Sequence, residues 1–221
     1  MATNTDPAGP WSLVVPLKPL ARAKSRLARA AGEDARPRLA LAFAQDTVAA
    51  ALACSRVRDV VVVTDDAVAA AALSALGARI VPDTPGAGLN AALAHGARSV
   101  RALRPAAAVA ALNADLPALR TGELARVLDF ASAFPNAFLR DAAGIGTTFL
   151  TAAGGAEFRP AFGGPSGARH LASGAVEIAL SGVDSVRRDV DTGEDLRVAL
   201  ALGVGAHTAR IATAPAPSRD R

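Results

Sequence analysis

The chain has 221 residues, enough for one domain that buries a core without disulfides or structural metal. Tyrosine is absent, aromatics make up 4% and the net charge of +4 comes from scattered arginines, which argues against a nucleic-acid-stacking surface and fits a small anionic ligand. A lone Cys54 excludes a disulfide framework or thiolate metal site, no apolar stretch is long enough to span a membrane unbroken, and polar residues 1–10 lack a signal-peptide core, so a cytoplasmic protein is expected.

After a disordered segment 1–10, Trp11–Pro16 reads as a buried strand, and Arg36–Ala53 as a helix with Pro37 in its first turn. Asp59–Thr64 contains Val60-Val-Val-Val63, apolar on both faces, as the strands of a covered parallel sheet are. Ala67–Leu76 is helical and stops at Gly77; Ala78–Val81 is a short strand, Leu89–Leu103 a helix and Ala107–Leu112 a strand. Thr121–Ala133 is a helix with Thr121 as N-cap. Ala137–Arg140 and Thr147–Thr151 are two strands joined by the turn Gly144-Ile-Gly146. A Gly/Pro-rich stretch, 162–170, leads into a short helix, and Ser185–Val190 is expected to close the sheet. Thr192 and Asp195 then form a capping box for a last helix ending at Gly203. The domain thus runs over 11–205, followed by a frayed tail over 206–221. Alternating strands and helices predict a three-layer, Rossmann-like α/β domain with a mainly parallel sheet.

In such a sheet the ligand lies beyond the carboxyl ends of the strands. Of the 24 lysines and arginines only two are lysines, and both lie just after the first strand, in Pro16-Leu-Lys-Pro-Leu-Ala-Arg-Ala-Lys-Ser-Arg-Leu27. Lys18, Lys24 and Arg26 are therefore candidate phosphate ligands. Thr64-Asp-Asp66 follows the second strand, and Gly86 with Gly88-Leu-Asn90 follows the third. Asp115 follows the fourth, fixed from behind by Leu116-Pro117, and is a candidate Mg²⁺ ligand. Asp189 and Asp191 flank Val190, so in a strand both would face one side, with a cation between them. His95 reads as a helix-face residue, His207 as an idle tail residue, and the role of His170 stays open. No Walker A or G-x-S-x-G sequence is present, and Gly144-x-Gly146 is half a dinucleotide fingerprint in the wrong place. Cations for outer phosphates plus carboxylates for Mg²⁺ suit nucleotidyl transfer, with Lys24 and Arg26 on the departing pyrophosphate.

The segments 15–27, Gly88-Leu-Asn-Ala-Ala-Leu93, Ala114-Asp-Leu-Pro-Ala-Leu119, Gly146-Thr147, Phe162-Gly163 with Ser166, Ala168-Arg-His170, Ser173-Gly-Ala175 and Asp189-Val-Asp-Thr192 occur in the order found in another family. Over residues 12–205 the chain resembles the guanylyltransferases of coenzyme F420 biosynthesis, a branch of the superfamily that also holds the molybdenum-cofactor guanylyltransferases. The resemblance implies transfer of GMP from GTP to 2-phospho-L-lactate, phosphoenolpyruvate or 3-phosphoglycerate, with release of pyrophosphate. It further implies Mg²⁺ on Asp115, Asp189 and Asp191, the acid on Thr147, Gly163 and Ser166, and guanine against Gly88, Leu89 and Asn90. Backbone amides of the Gly163–Ser166 loop would help to hold the acid's carboxylate or phosphate. Here Gly164-Pro165 shifts the family's proline by one position, which bears on the shape of the acid pocket. The arginine- and alanine-rich composition resembles actinobacterial proteins, whose family members are associated with phosphoenolpyruvate. A sugar-phosphate or molybdenum-cofactor transferase would share fold and metal, but its first loop is normally glycine-rich and Pro16–Leu27 has no glycine. No nucleic-acid or membrane partner is expected, and a homodimer is left open.

Overall fold

The computed structural model describes residues 10–22, 27 and 35–212. The order is β1 (Trp11–Pro16), a single 3-10 turn (Leu20–Arg22), α1 (Ala35–Leu52), β2 (Val57–Val63), α2 (Ala67–Ala75), β3 (Arg79–Val81), α3 (Leu89–Leu103) and β4 (Ala108–Leu112). Then follow α4 (Thr121–Ala131), β5 (Asn136–Arg140), β6 (Thr147–Ala152), α5 (Ser166–Ala172), β7 (Val176–Glu177), α6 (Asp184–Arg187), α7 (Gly193–Leu202) and α8 (Ala206–Ala212). The strands form one seven-stranded sheet in the order β3-β2-β1-β4-β6-β5-β7. β6 runs antiparallel to both neighbours, while the other pairings are parallel.

Alternation along the strands sorts their side chains into two cores. Leu13, Val15, Val60, Val62, Ala110 and Leu112 face one side, under Val48 of α1, Leu73 of α2 and Leu124 and Leu128 of α4. Val14, Val61, Val63, Val109 and Ala111 face the other, under Leu93, Ala97 and Val100 of α3. That is the three-layer α/β arrangement the pattern predicts, and Val60–Val63 does sit inside the sheet, between β1 and β3. Helix α3 lies close because Gly96 faces β1 and β2. A Cβ there would fall 2.5 Å from Val14 Cγ1 and 2.8 Å from Val63 Cγ2.

Four sequence expectations are corrected. Ser185–Val190 is not a strand: α6 occupies Asp184–Arg187, and the sheet edge belongs to Val176–Glu177. Val183 and Val186 are both buried at helical spacing, and the carbonyls of Val186 and Arg187 go to Thr148 Oγ1 and to the amide of Ala142 instead of a ladder. Thr121 is the first residue of α4 rather than its cap, a position taken by Arg120. The helix ending at Gly203 is not the last. The expected fraying from 206 is overturned as far as Ala212, since α8 is helical with Thr208 fully buried; residues 213–221 lie outside the described residues, as do Met1–Gly9.

The cap of α8 comes from another helix. Asp46 of α1 is buried, and its carboxylate accepts from the amides of His207 (2.9 Å) and Thr208 (2.8 Å). A remote side chain thereby satisfies amides that a helix start leaves without partners. Asp46→Ala is expected to lower unfolding free energy by about 1–2 kcal/mol, the usual worth of an N-cap. Urea denaturation reads it, and an unchanged midpoint would mean that α8 does not dock this way.

Candidate active site

The direction of β6 builds the site. Because β6 is antiparallel to β4, its first residue, Thr147, lies at the same sheet edge as the last residues of β4. The amide of Asn113 donates to Thr148 O at 3.0 Å, so the pairing continues past the end of β4. A cleft of about 280 Å³ opens at this edge. Asp115, Asp189, Asp191, Thr147, Gly163, Ser166 and Leu89 all line it, so the residues proposed for metal and acid share one hollow. A smaller hollow adjoining it through Leu89 is lined by Lys18, Gly88 and Asp83. Lys24 and Arg26 lie outside the described residues.

The Asp115 loop is held by Thr47 of α1, which sequence reasoning missed. Its buried hydroxyl accepts from Leu116 N (3.0 Å) and lies 3.2 Å from Ala114 O and 2.8 Å from Phe43 O as donor. Thr47 thus grips the peptide groups on both sides of Asp115. Asp189 and Asp191 reach the cleft from an irregular segment rather than a strand. Val190 between them is buried, and its amide donates to Asp115 O at 3.0 Å, which draws the two acidic loops together. Among the described residues no three His, Cys, Asp or Glu side chains stand close enough to form a ready-made metal centre. The donor set is nonetheless all oxygen, which fits a hard divalent cation that keeps water and phosphate ligands besides one or two carboxylates.

The opposite wall is the Phe162–Ser166 loop, fixed at several points. Asn90 accepts from Phe162 N (2.8 Å) and donates to Phe162 O (3.1 Å), so its amide fixes this loop to the start of α3. Arg169 donates to Ala161 O at 3.1 Å and also to Gly163 O. Gly163 holds φ +97°, a conformation that suits only glycine. One of the loop amides expected to serve an anion is already used, Ser166 N on Gly164 O, and Pro165 has none to offer; Gly167 N, just beyond the loop, is likewise spent on Ile145 O. Two hydroxyls also stand at this wall: Ser166 Oγ lies 3.0 Å from Thr147 Oγ1, and both residues are almost fully buried.

Behind them stands His170, with Nδ1 3.0 Å from Thr147 Oγ1 and Nε2 accepting from Ala161 N at 3.0 Å. Burial, with the Arg169 guanidinium beside it, pushes its imidazole down to about 4. A neutral, enclosed ring is no general base for substrate. Asp141, also unforeseen, lines the cleft and accepts from Ile145 N (3.0 Å) and Gly146 N (2.8 Å), folding the turn that delivers Thr147. Its sequence signal was an Asp preceding Gly-x-Gly by three residues. Asp65 and Asp66, by contrast, serve the scaffold: Asp66 caps α2 and accepts from Leu20 N, and Asp65 accepts from Asp83 N.

With this geometry in view, comparison with known proteins is decisive. The family model described as "Guanylyl transferase CofC like" matches residues 11–211. The chain belongs to that family. It is 70% identical over 202 residues, 91% of this chain and 95% of the relative, to a phosphoenolpyruvate guanylyltransferase of Streptomyces coelicolor. A protein of the same name from Thermomonospora curvata is 60% identical, over 95% of this chain and 92% of its own length. In fold it matches a putative nucleotide-diphospho-sugar transferase from Desulfovibrio desulfuricans (TM-score 0.65, 16% identity, 86% of each chain). It also matches a nucleotidyl transferase from Methanothermobacter (TM-score 0.61, 22% identity, 87% of this chain and 97% of that one). These likenesses carry the fold: a nucleotidyltransferase α/β domain. The enzyme is a nucleotidyltransferase, and among its described residues no helix is long and apolar enough to cross a membrane.

Two outcomes follow from the supports. Thr47→Val keeps volume but leaves Leu116 N without its acceptor, at a cost of about 1–3 kcal/mol. It is expected to depress turnover as well, since Asp115 loses its brace; full activity in the folded variant would show that the brace is dispensable. His170 is depressed on folding, so its contribution to stability is complete above the unfolded value near 6.5 and is lost as pH falls toward 4. The stability gap between wild type and His170→Phe should therefore narrow by a few kcal/mol across that window, read by denaturation at each pH.

Proposed function

We propose that the enzyme transfers GMP from GTP to phosphoenolpyruvate, releasing pyrophosphate, as a cytoplasmic step in coenzyme F420 biosynthesis. The observation that carries this reading is the shared cleft: carboxylates on one wall and the Thr147–Ser166 hydroxyl pair on the other, in a chain 70% identical to a protein named for that reaction. Thr147, Ser166 and the Gly163 loop would hold the acid with its phosphate toward the nucleotide. Lys18, Gly88 and Leu89 would bound the nucleotide's side, Asn90 acting by fixing Phe162.

A phosphate oxygen of the acid, already anionic at neutral pH, attacks the α-phosphorus of GTP. The new P–O bond forms as the bond to the bridging oxygen breaks, and pyrophosphate leaves with that electron pair. No proton is removed, in keeping with a site whose one histidine is buried and neutral. When bound, Mg²⁺ supplies charge neutralisation at the α-phosphate, and Asp115, Asp189 and Asp191 are the residues that would hold it. Lys24 and Arg26 are assigned to the departing pyrophosphate on sequence alone.

The test is incubation with GTP and Mg²⁺ and each acid in turn, with mass spectrometry of the product. Phosphoenolpyruvate is expected to react in preference, and preference for 2-phospholactate or 3-phosphoglycerate would overturn the substrate choice. Asp115→Asn and Asp191→Asn should keep the fold and lose Mg²⁺-dependent activity. Lys24→Ala should lose turnover by about 10²-fold, the scale of one positioned charge on developing phosphate charge. Ser166→Ala should raise the KM for the acid and leave that for GTP in place; movement of the GTP KM instead would put Ser166 at the nucleotide.

A further inference from the structure

The Thr147–Ser166 pair has an unequal hydrogen-bond account, and His170 sets it. Two hydroxyls hold two protons between them, and one proton is consumed in the 3.0 Å bond that joins them. What the pair offers to the cleft then depends on the imidazole nitrogen 3.0 Å from Thr147 Oγ1. An unprotonated Nδ1 would draw the second proton backward, away from the cleft. A protonated Nδ1 would donate to Thr147 and leave that proton free to point outward.

The tautomer is decided on the far side of the ring. Nε2 accepts from the Ala161 amide at 3.0 Å, and a backbone N–H can only donate, so Nε2 cannot carry the proton. The ring is fully buried and flanked by Phe138 (centroids 5.7 Å apart) and Phe162 (5.2 Å, edge-on), which disfavours the doubly protonated form. A neutral imidazole with Nε2 occupied must hold its proton on Nδ1.

We infer that His170 is a positioning residue for the acid substrate: fixed as the Nδ1–H tautomer by the Ala161 amide, it donates to Thr147 and so turns the Thr147–Ser166 hydroxyl pair into a hydrogen-bond donor toward the anionic group in the cleft. This rests on the reading of Thr147 and Ser166 as the acid's anchor. The same ring ties the Phe162 loop to β6, because Ala161 and Thr147 are bonded to its opposite nitrogens. An anion needs donors, not acceptors, and this relay delivers one without a positive charge at the wall.

The wild-type protein gives the first readout. Two-bond ¹H–¹⁵N correlation of the imidazole should show His170 with a protonated Nδ1 and a bare Nε2 at neutral pH, and a proton on Nε2 would overturn the proposal. This spectrum needs no activity, so it is independent of which acid is used. The second readout is kinetic. His170→Phe keeps a ring but removes both nitrogens, and should raise the KM for the acid about tenfold or more, with the KM for GTP unchanged. His170→Asn can place an amide N–H near the Nδ1 position and should recover part of that loss. A Phe variant with the acid KM of the wild type, or equal losses in KM for acid and GTP, would overturn the donor role. A wild type that shows the Nδ1–H tautomer but prefers a different acid would displace the substrate choice alone, and the KM split would then be read with that acid.

Discussion

The amide of Asn113 donates to the carbonyl of Thr148, 3.0 Å away, where β4 ends and β6 begins, and the two walls of the cleft meet at that bond. In a sheet whose other strands run one way, a reversed strand brings its beginning, not its end, to the ligand edge. Thr147 opens β6 and Asp115 follows β4, so the reversal puts a hydroxyl wall beside a carboxylate wall. Had β6 run parallel, Ala152 would stand at that edge and Thr147 at the opposite one. Mixed direction in this sheet is therefore a requirement of the site. It also explains why the turn before β6 is so tightly specified, with Asp141 folding Gly144–Gly146 through two amides.

The carboxylate wall shows a different logic. Asp115, Asp189 and Asp191 share a cleft, yet no ready-made cluster of metal ligands forms among the described residues. Like charges brought together without a cation repel, and their loops would carry that cost in every unliganded molecule. What the fold fixes instead is the backbone beneath them: Val190 N on Asp115 O, and Thr47 on the peptides either side of Asp115. A divalent cation held here, as proposed above, would take one or two of these carboxylates and complete its shell with water and phosphate oxygens.

The layers and the sheet were legible because they rest on local periodicity. Val60–Val63 declares a covered strand, and the candidate residues declare themselves as the polar groups that interrupt the pattern just after strands. Legibility failed where tertiary contact outweighs pattern. Ser185–Val190 reads as the strand that closes the sheet, but Val183 and Val186 at helical spacing bury one side of a short helix, and a two-residue strand at Val176–Glu177 takes the edge unannounced. Asn90, in the first turn of α3, reads as a base ligand, and its two hydrogen bonds to the backbone of Phe162 cannot be read from its position. Thr47 is invisible as a site residue and His170 can be named but given no role, because each acts through partners far off in sequence: Ala114 and Leu116 for one, Thr147 for the other.

The misread C-terminus shows how far that support extends. Asp46 and Thr47 are neighbours on α1, one capping α8 and the other gripping the Asp115 loop. Just before α8, Gly205 donates its amide to Pro117 O at 2.9 Å, two residues beyond Asp115. A Cβ on Gly205 would fall 2.4 Å from the Asp46 carboxylate, so this turn lies directly against the cap. The same turn of α1 therefore fastens α8 and the Asp115 loop to each other. Ile211 of α8 packs against the cluster that holds Ala118 and Val190, so residues that composition marks as a tail back the carboxylate wall, and loosening α8 would reach the Asp115 loop through the Gly205–Pro117 bond without touching any residue of the cleft.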